Sequence, residues 1–151
     1  MDNRIPPPLV ASLFGLLMWF AARHLPGALE LTTKWRTGLA LVVLLAGVAI
    51  CLAGVLSFRR ARTTVNPLKP ETASALVSSG VYRYTRNPMY LGFALVLTAW
   101  SIFLAWPPAL LGVLGFVVYM NVFQIEPEER ALAKLFGSEF TRYSSQVRRW
   151  F

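Results

Sequence analysis

Charge is scarce in this chain of 151 residues: 15% of them carry it, where soluble globular domains run at roughly 25%. A water-facing surface of ordinary composition is therefore excluded. Cysteine is nearly absent. Cys51 stands alone inside an apolar run, so there is no disulfide framework. Histidine is limited to His24, and no metal-ligating set is assigned. No G-x-G-x-x-G stretch and no alternation of strands with helices occurs, which excludes a soluble dinucleotide-type cofactor fold. Polar low-complexity tracts and internal repeats are missing too, and aromatic residues at 13% exclude intrinsic disorder. What is present is apolar: 56% hydrophobic residues and a mean hydropathy of +0.52, in a length suited to one domain. The chain reads as an all-α integral membrane protein.

Uncharged intervals locate the spans. Residues 5–22 lie between Arg4 and Arg23, residues 37–58 between Arg36 and Arg59, and residues 87–125 between Arg86 and Glu126. A helix rises about 1.5 Å per residue and the hydrocarbon core is about 30 Å thick, so one crossing takes roughly 20 residues. The first two intervals fit one span each. The third fits two, with Trp106-Pro107-Pro108 at its midpoint as a turn that a helix does not run through. Four transmembrane helices are expected, over approximately 6–22, 37–58, 88–106 and 108–125, with polar segments at 59–87 and 126–151 in a single domain. A cleaved signal peptide is set aside, because Asp2, Arg4 and Pro6-Pro7-Pro8 precede the first run and Arg23-His24-Leu25-Pro26 follows it. Gly112 and Gly115 permit close helix approach without the GxxxG spacing.

Four spans put the N-terminus, residues 59–86 and the C-terminal tail on one side. That side holds Arg4, Arg59, Arg60, Arg62, Lys69, Arg83, Arg86, Arg130, Lys134, Arg142, Arg148 and Arg149; the other holds Arg23, Lys34 and Arg36. Twelve against three of the fifteen basic residues puts both termini in the cytoplasm by the positive-inside rule. This is a multi-pass arrangement suited to a prokaryotic inner membrane. Basic residues beside a bilayer attract anionic headgroups, so membrane lipids account for most of the net charge of +8. Nucleic acid is not an expected partner, and the oligomeric state is left open.

Polar sequence concentrates in two places, both abutting the last two spans. The connector from Arg59 to Pro88 is punctuated by Pro67 and Pro70, and Glu71 to Ser78 then reads as a short helix stopped by Gly80. The tail begins Glu126-Pro127-Glu128-Glu129-Arg130, and Ala131, Leu132, Leu135 and Phe136 recur at helical spacing. Gly137 ends that amphipathic helix and Ser138 caps another carrying Phe140, Tyr143 and Val147. Trp150 and Phe151 suit a return to the bilayer interface.

The string GVYRYTRNPMYLG at 80–92, followed by EERALAKLFGSEFTRY at 128–143, resembles the isoprenylcysteine carboxyl methyltransferase and phospholipid methyltransferase superfamily. Its members carry a G-x-Y-R-[YF]-x-R-[HN]-P-x-Y-x-G stretch before a membrane helix and an E-E-x-x-L…F-G-x-x-[YF]-x-x-Y tail. The resemblance runs from about Thr63 to the C-terminus, and the first two spans carry no motif. It implies a methyltransferase that uses S-adenosylmethionine, and releases S-adenosylhomocysteine, at the cytoplasmic membrane face.

A site for that cofactor needs apolar walls for adenine, acceptors for the ribose and ammonium, a donor for the carboxylate and electron-rich groups near the sulfonium. Under the resemblance, Leu76 and Val77 flank adenine, while Tyr82 and Tyr90 offer ring faces or hydroxyls to the cation. Arg86 or Arg142 forks onto the carboxylate. Glu128 or Glu129 accepts from ribose or ammonium, and only one faces the cofactor squarely, since helix neighbours point about 100° apart. Gly80, Asn87, Pro88 and Tyr143 complete the cofactor-binding set. Arg86, Asn87 and Tyr90 are the catalytic positions, acting by positioning with no general base.

Each residue also has a simpler account. Glu126, Glu128 and Glu129 in the first turn of a helix favour its macrodipole. Arg83 and Arg86 serve as interfacial anchors, and Tyr84 belongs to an aromatic belt. Gly80 stops a helix, and Gly92 permits close backbone approach. Asn121 and Gln124 either line the pocket or bond between helices.

Many family members have His where this chain has Asn87, and His24 falls across the membrane in this topology. Methyl transfer is then expected without histidine base catalysis. That suits a carboxylate, which is already ionised at neutral pH and needs only to lose its water and be aligned. The resemblance implies a lipophilic acceptor entering laterally from the bilayer: a prenylated thioether carboxylate, or alternatively a phospholipid amine. A sterol-type reductase using NADPH and a non-enzymatic lipid-binding subunit are further alternatives; against the reductase, the chain is short and shows no second basic cluster for the additional phosphate.

Overall fold

Proline sets where the helices begin. The computed structural model describes residues 5–61 and 75–151, and every regular element among them is helical. Pro7 opens α1 (Pro7–His24) and Pro88 opens α3 (Pro88–Leu104), because a first-turn residue has no acceptor for the N–H that proline lacks. Between them, α2 runs Thr33–Arg60. A single 3₁₀ turn, Gly80–Arg83, leads into α3, and a second, Pro107–Ala109, leads out of it. Then come α4 (Leu110–Met120), a π-helical turn (Asn121–Ile125), α5 (Glu126–Phe136) and α6 (Ser138–Gln146).

The turn at Trp106-Pro107-Pro108 is tied to the loop between α1 and α2. Ala105 adopts φ 50° at the end of α3, and its carbonyl accepts the Leu29 N–H at 2.7 Å. Trp106 Nε1 donates to the Pro26 carbonyl at 3.0 Å. His24 therefore sits at this end, stacked on Phe20 with centroids 4.1 Å apart.

Two sequence expectations are corrected. The helix starting at Glu126 does not start there: residues Pro107–Phe136 form one continuous rod. Pro127 explains the π turn inside it. Its ring crowds the carbonyl four residues back, and a wider turn, in which the Glu126 N–H reaches Asn121 O, makes room. With no free helix N-terminus at 126, the macrodipole account of Glu126, Glu128 and Glu129 loses its basis. The short helix at 71–78 falls partly outside the described residues, as do Arg4, Arg62 and Lys69. Its described part, from Ala75 on, is not helical. Instead Val77 is buried from a segment without regular structure, and Gly80 opens the 3₁₀ turn at φ +63°. Only glycine adopts that φ without cost, and a Cβ there would meet Ser57 Oγ at 2.7 Å.

Helix α3 is the centre of the packing, in contact with α1, α2 and α4. Its approach to α2 is backbone to backbone. A Cβ on Gly92 would lie 2.6 Å from the Gly47 carbonyl oxygen and overlap Cys51 Sγ, while one on Gly47 would lie 2.8 Å from the Gly92 oxygen. The pair Gly112 and Gly115 receives Met18 and Phe14 of α1. Phe14 and Phe116 meet edge to face at 6.1 Å inside a core that includes Val10, Leu97, Met120 and Ile125.

The outward faces stay apolar. Leu39, Val42, Leu45 and Leu52 on α2 and Leu111, Leu114 and Val118 on α4 are exposed. By length and composition Thr33–Arg60 and Pro107–Phe136 are able to cross a bilayer, and α3 is apolar but shorter. Only 17% and 28% of their apolar stretches are buried, whereas a soluble protein's core helix is mostly buried. Apolar surface left open on this scale points to contact with lipid.

Valine at Gly92 forces α2 and α3 apart, and overpacking of this kind costs about 1–3 kcal/mol. Gly92→Val is expected to lower the melting temperature of the purified protein by several degrees, whereas Gly38→Ala, which meets nothing within 4 Å inside α2, should hold or raise it. Equal melting of the two variants removes the close-approach role of Gly92.

Candidate active site

The connector and α5 meet through side chains. Tyr90, in the first turn of α3, donates its hydroxyl to Glu128 Oε2 at 3.0 Å. Arg86, two residues before α3, pairs through Nη2 with Glu129 Oε1 at 3.3 Å. The angular separation of adjacent helix positions thus divides the two glutamates between two partners.

A third segment closes over both. The chain turns extended at Val147 and runs back along the connector. The Arg86 N–H donates to Arg148 O at 3.0 Å, Asn87 Nδ2 to Arg149 O at 2.9 Å, and Thr85 Oγ1 to Arg149 O at 3.3 Å. Thr85 Oγ1 also accepts the Asn87 N–H at 3.2 Å. The Arg149 guanidinium forks onto Glu129, with Nη2 to Oε2 at 2.7 Å and Nε to Oε1 at 3.3 Å, and lies 3.7 Å from Glu126. The hydrogen bond to Glu129 raises the Arg149 pKa, so the guanidinium stays protonated.

Trp150 Nε1 then donates to Asn121 Oδ1 at 3.1 Å and packs against the core. Trp150 is thereby half-buried, with its indole N–H partnered on the helix rod. Phe151 remains exposed. Thr85, Arg148 and Arg149 were missed as site residues. Their bonds run largely to or from backbone carbonyls across a non-periodic segment, which leaves no spacing to read.

The other residues singled out from the sequence are distributed unevenly. Tyr82 is buried, edge-on to Phe58 at 5.3 Å, and its carbonyl accepts the Tyr143 hydroxyl at 2.8 Å. Burial, then the Glu128 charge, pushes the Tyr82 phenol above its ordinary range. Burial raises Tyr143 likewise, against a smaller opposing effect of Arg86. Both phenols are therefore neutral donors at ordinary pH. Pro88 and Val77 are buried and Leu76 half-buried, while Gly80 is exposed. Arg142 is exposed on α6 and contributes nothing to the cluster; Tyr84 and Arg83 are exposed as well.

Arg86 retains a buried Nε–H without a partner. Glu129 stands beside it, and the Tyr143 phenol is near enough to feel its charge.

Known proteins agree with the motifs. The family described as phospholipid methyltransferase matches residues 35–139. A probable protein-S-isoprenylcysteine O-methyltransferase of Oryza sativa subsp. japonica is 31% identical over 147 residues, covering 92% of this chain and 75% of the relative. Protein-S-isoprenylcysteine O-methyltransferase A of Arabidopsis thaliana is 26% identical over 113 residues, which is 75% of this chain and 57% of the relative. An uncharacterized protein of Haemophilus influenzae is 47% identical over 62 residues, 41% of this chain and 98% of its own length. No solved structure matches. With the matched region running from α2 into α6 and containing the first motif and most of the second, the chain belongs to the phospholipid methyltransferase family.

Proposed function

We propose that the chain transfers a methyl group from S-adenosylmethionine to a lipophilic acceptor at the cytoplasmic face of a membrane, the acceptor being a carboxylate of the isoprenylcysteine kind. The observation that carries this is the meeting of the two motifs, with Tyr90 on Glu128 and Arg86 on Glu129, at one end of helices whose outer faces are apolar. The relatives named as protein-S-isoprenylcysteine O-methyltransferases support the acceptor class.

When bound, S-adenosylmethionine supplies a methyl group activated by its sulfonium. The unpartnered Nε–H of Arg86 would hold its carboxylate, Glu128 its ammonium or ribose, and Tyr82 and Tyr90 the surroundings of the cation. Asn87 spends its amide N–H on the Arg149 carbonyl, which makes it a fastener of the tail. His24, whose Nδ1 lies 2.8 Å from Phe20 O, sits at the opposite end of α1 from Ile5. No histidine serves this site. A carboxylate nucleophile has no proton to give up, so alignment and loss of water are what the pocket must supply.

Four crossings with both termini cytoplasmic remain the topology we favour. Gln124 donates to Ile5 O, and Trp150 to Asn121; these bonds support a shared side for the N-terminus, connector and tail. In a Cys51→Ala background, Ser145→Cys is expected to react with an impermeant thiol reagent from the cytoplasmic side alone, and Glu30→Cys from the outside alone. Labelling of both from one side removes the four-span topology.

Arg86→Ala and Arg149→Ala test the cofactor site. Hydrogen bonds to charged groups contribute roughly 1.5–3 kcal/mol each, so S-adenosylhomocysteine should bind about tenfold or more weakly to either variant. Calorimetric titration checks it, and native affinity in both would leave these arginines as anchors.

The pH dependence of single-turnover methyl transfer separates the acceptors. A carboxylate ionises near ~4, so the rate should be nearly flat from about pH 6 to 8. An amine near ~10 would give a rise close to tenfold per pH unit. A steep rise replaces the carboxylate with a phospholipid amine.

A further inference from the structure

Gln124 is 1% exposed, inside the π-helical turn. Its Nε2 donates to the Ile5 carbonyl at 2.8 Å. That bond fixes which way the amide faces, since the reversed amide would set two oxygens against each other. Oε1 is therefore the group turned inward, and it is buried with no donor in reach. A buried acceptor left so is destabilising, and native proteins hold few of them without a reason. Bonding between helices accounts for the NH₂ half of this side chain and leaves the oxygen unexplained.

The surroundings narrow the reason. Gln124 precedes Glu128 by four residues, so the two side chains lie one above the other on the same helix face. The neighbouring Asn121 oxygen is already taken by Trp150, and the Tyr90 hydroxyl donates to Glu128. Ile5, whose carbonyl receives the amide N–H, is itself 47% exposed, so the buried side chain is bonded directly to a surface residue. We propose that Gln124 Oε1 is a ligand contact, accepting an N–H or O–H from a molecule seated beside Glu128. The inference rests on the methyltransferase reading above. The donor then belongs either to the cofactor, through its ribose hydroxyls or ammonium, or to the head of the methyl acceptor, through an amide or amine N–H.

Two substitutions separate this role from the bond to Ile5. Gln124→Met keeps the length and loses both donor and acceptor. Gln124→Glu loses the amide N–H but keeps an acceptor oxygen in either protonation state. S-adenosylhomocysteine affinity is measured, together with KM for N-acetyl-S-farnesylcysteine and for dioleoylphosphatidylethanolamine. Gln124→Met should weaken one of these by about tenfold or more, with Gln124→Glu within about threefold of the native protein; the ligand that responds identifies the donor. Equal impairment in both variants reduces Gln124 to its bond with Ile5 and overturns the proposal, as does native behaviour of Gln124→Met. If Gln124→Met does not fold, Gln124→Asn, which withdraws the oxygen by one methylene, carries the same expectation. A native protein that neither binds S-adenosylhomocysteine nor methylates either acceptor overturns the methyltransferase reading as well. One that does both, with the variants unaltered, overturns this inference alone.

Discussion

Glu129 receives two guanidinium groups on one carboxylate, Arg86 from the connector and Arg149 from the tail. Neither of those segments is held in place by a long helix of its own. Each is fixed because the carboxylate offers oxygens on both sides and α5 keeps it stationary. The cluster is partly buried, with side-chain exposures of 16%, 19% and 33% for Arg86, Glu129 and Arg149. It lies between the exposed pairs that contribute little and the buried ones whose loss of a partner is severe. Glu126 beside Arg149 adds a second carboxylate to the two guanidinium groups. Without Glu129 two like charges would face each other across the connector.

The position of Glu129 depends in turn on the rod from Pro107 to Phe136. Phe116 and Met120 seat that rod in the core, and the π turn forced by Pro127 adjusts the register just before the glutamates. A site supported on one continuous helix inherits its rigidity. The same turn carries Gln124, bonded to Ile5, and Asn121, bonded to Trp150, so two polar contacts sit on one backbone irregularity.

Much of the architecture is legible in the sequence because it follows from where charge and proline are missing or present. Arg23, Arg36, Arg59, Arg86 and Glu126 bound the apolar runs, and Trp106-Pro107-Pro108 marks a turn. The meeting of Tyr90 and Arg86 with the two glutamates is legible as the conjunction of two motifs, though not which glutamate takes which partner. Two kinds of feature were hidden. Pro127 reads as a helix start, and only the widened turn shows that the helix passes through it. Arg142 and Arg149 are both arginines of the tail, and the motif spacing favoured the former. The structure turns Arg142 outward on α6 and brings Arg149 inward from an extended segment without periodicity. Backbone carbonyls share the holding there with the Arg149 and Trp150 side chains, and a carbonyl has no residue type to recognise.

That segment has a consequence for which changes the protein tolerates. Residues 148–150 close the turn at 85–87 against the helix rod. Arg148 meets the connector through its carbonyl, whereas Arg149 and Trp150 also grip through their side chains, so Arg148 is the freest of the three to vary. A one-residue insertion between Tyr143 and Arg149 would shift every grip at once, while a change of side chain at Arg148 would leave its carbonyl in place.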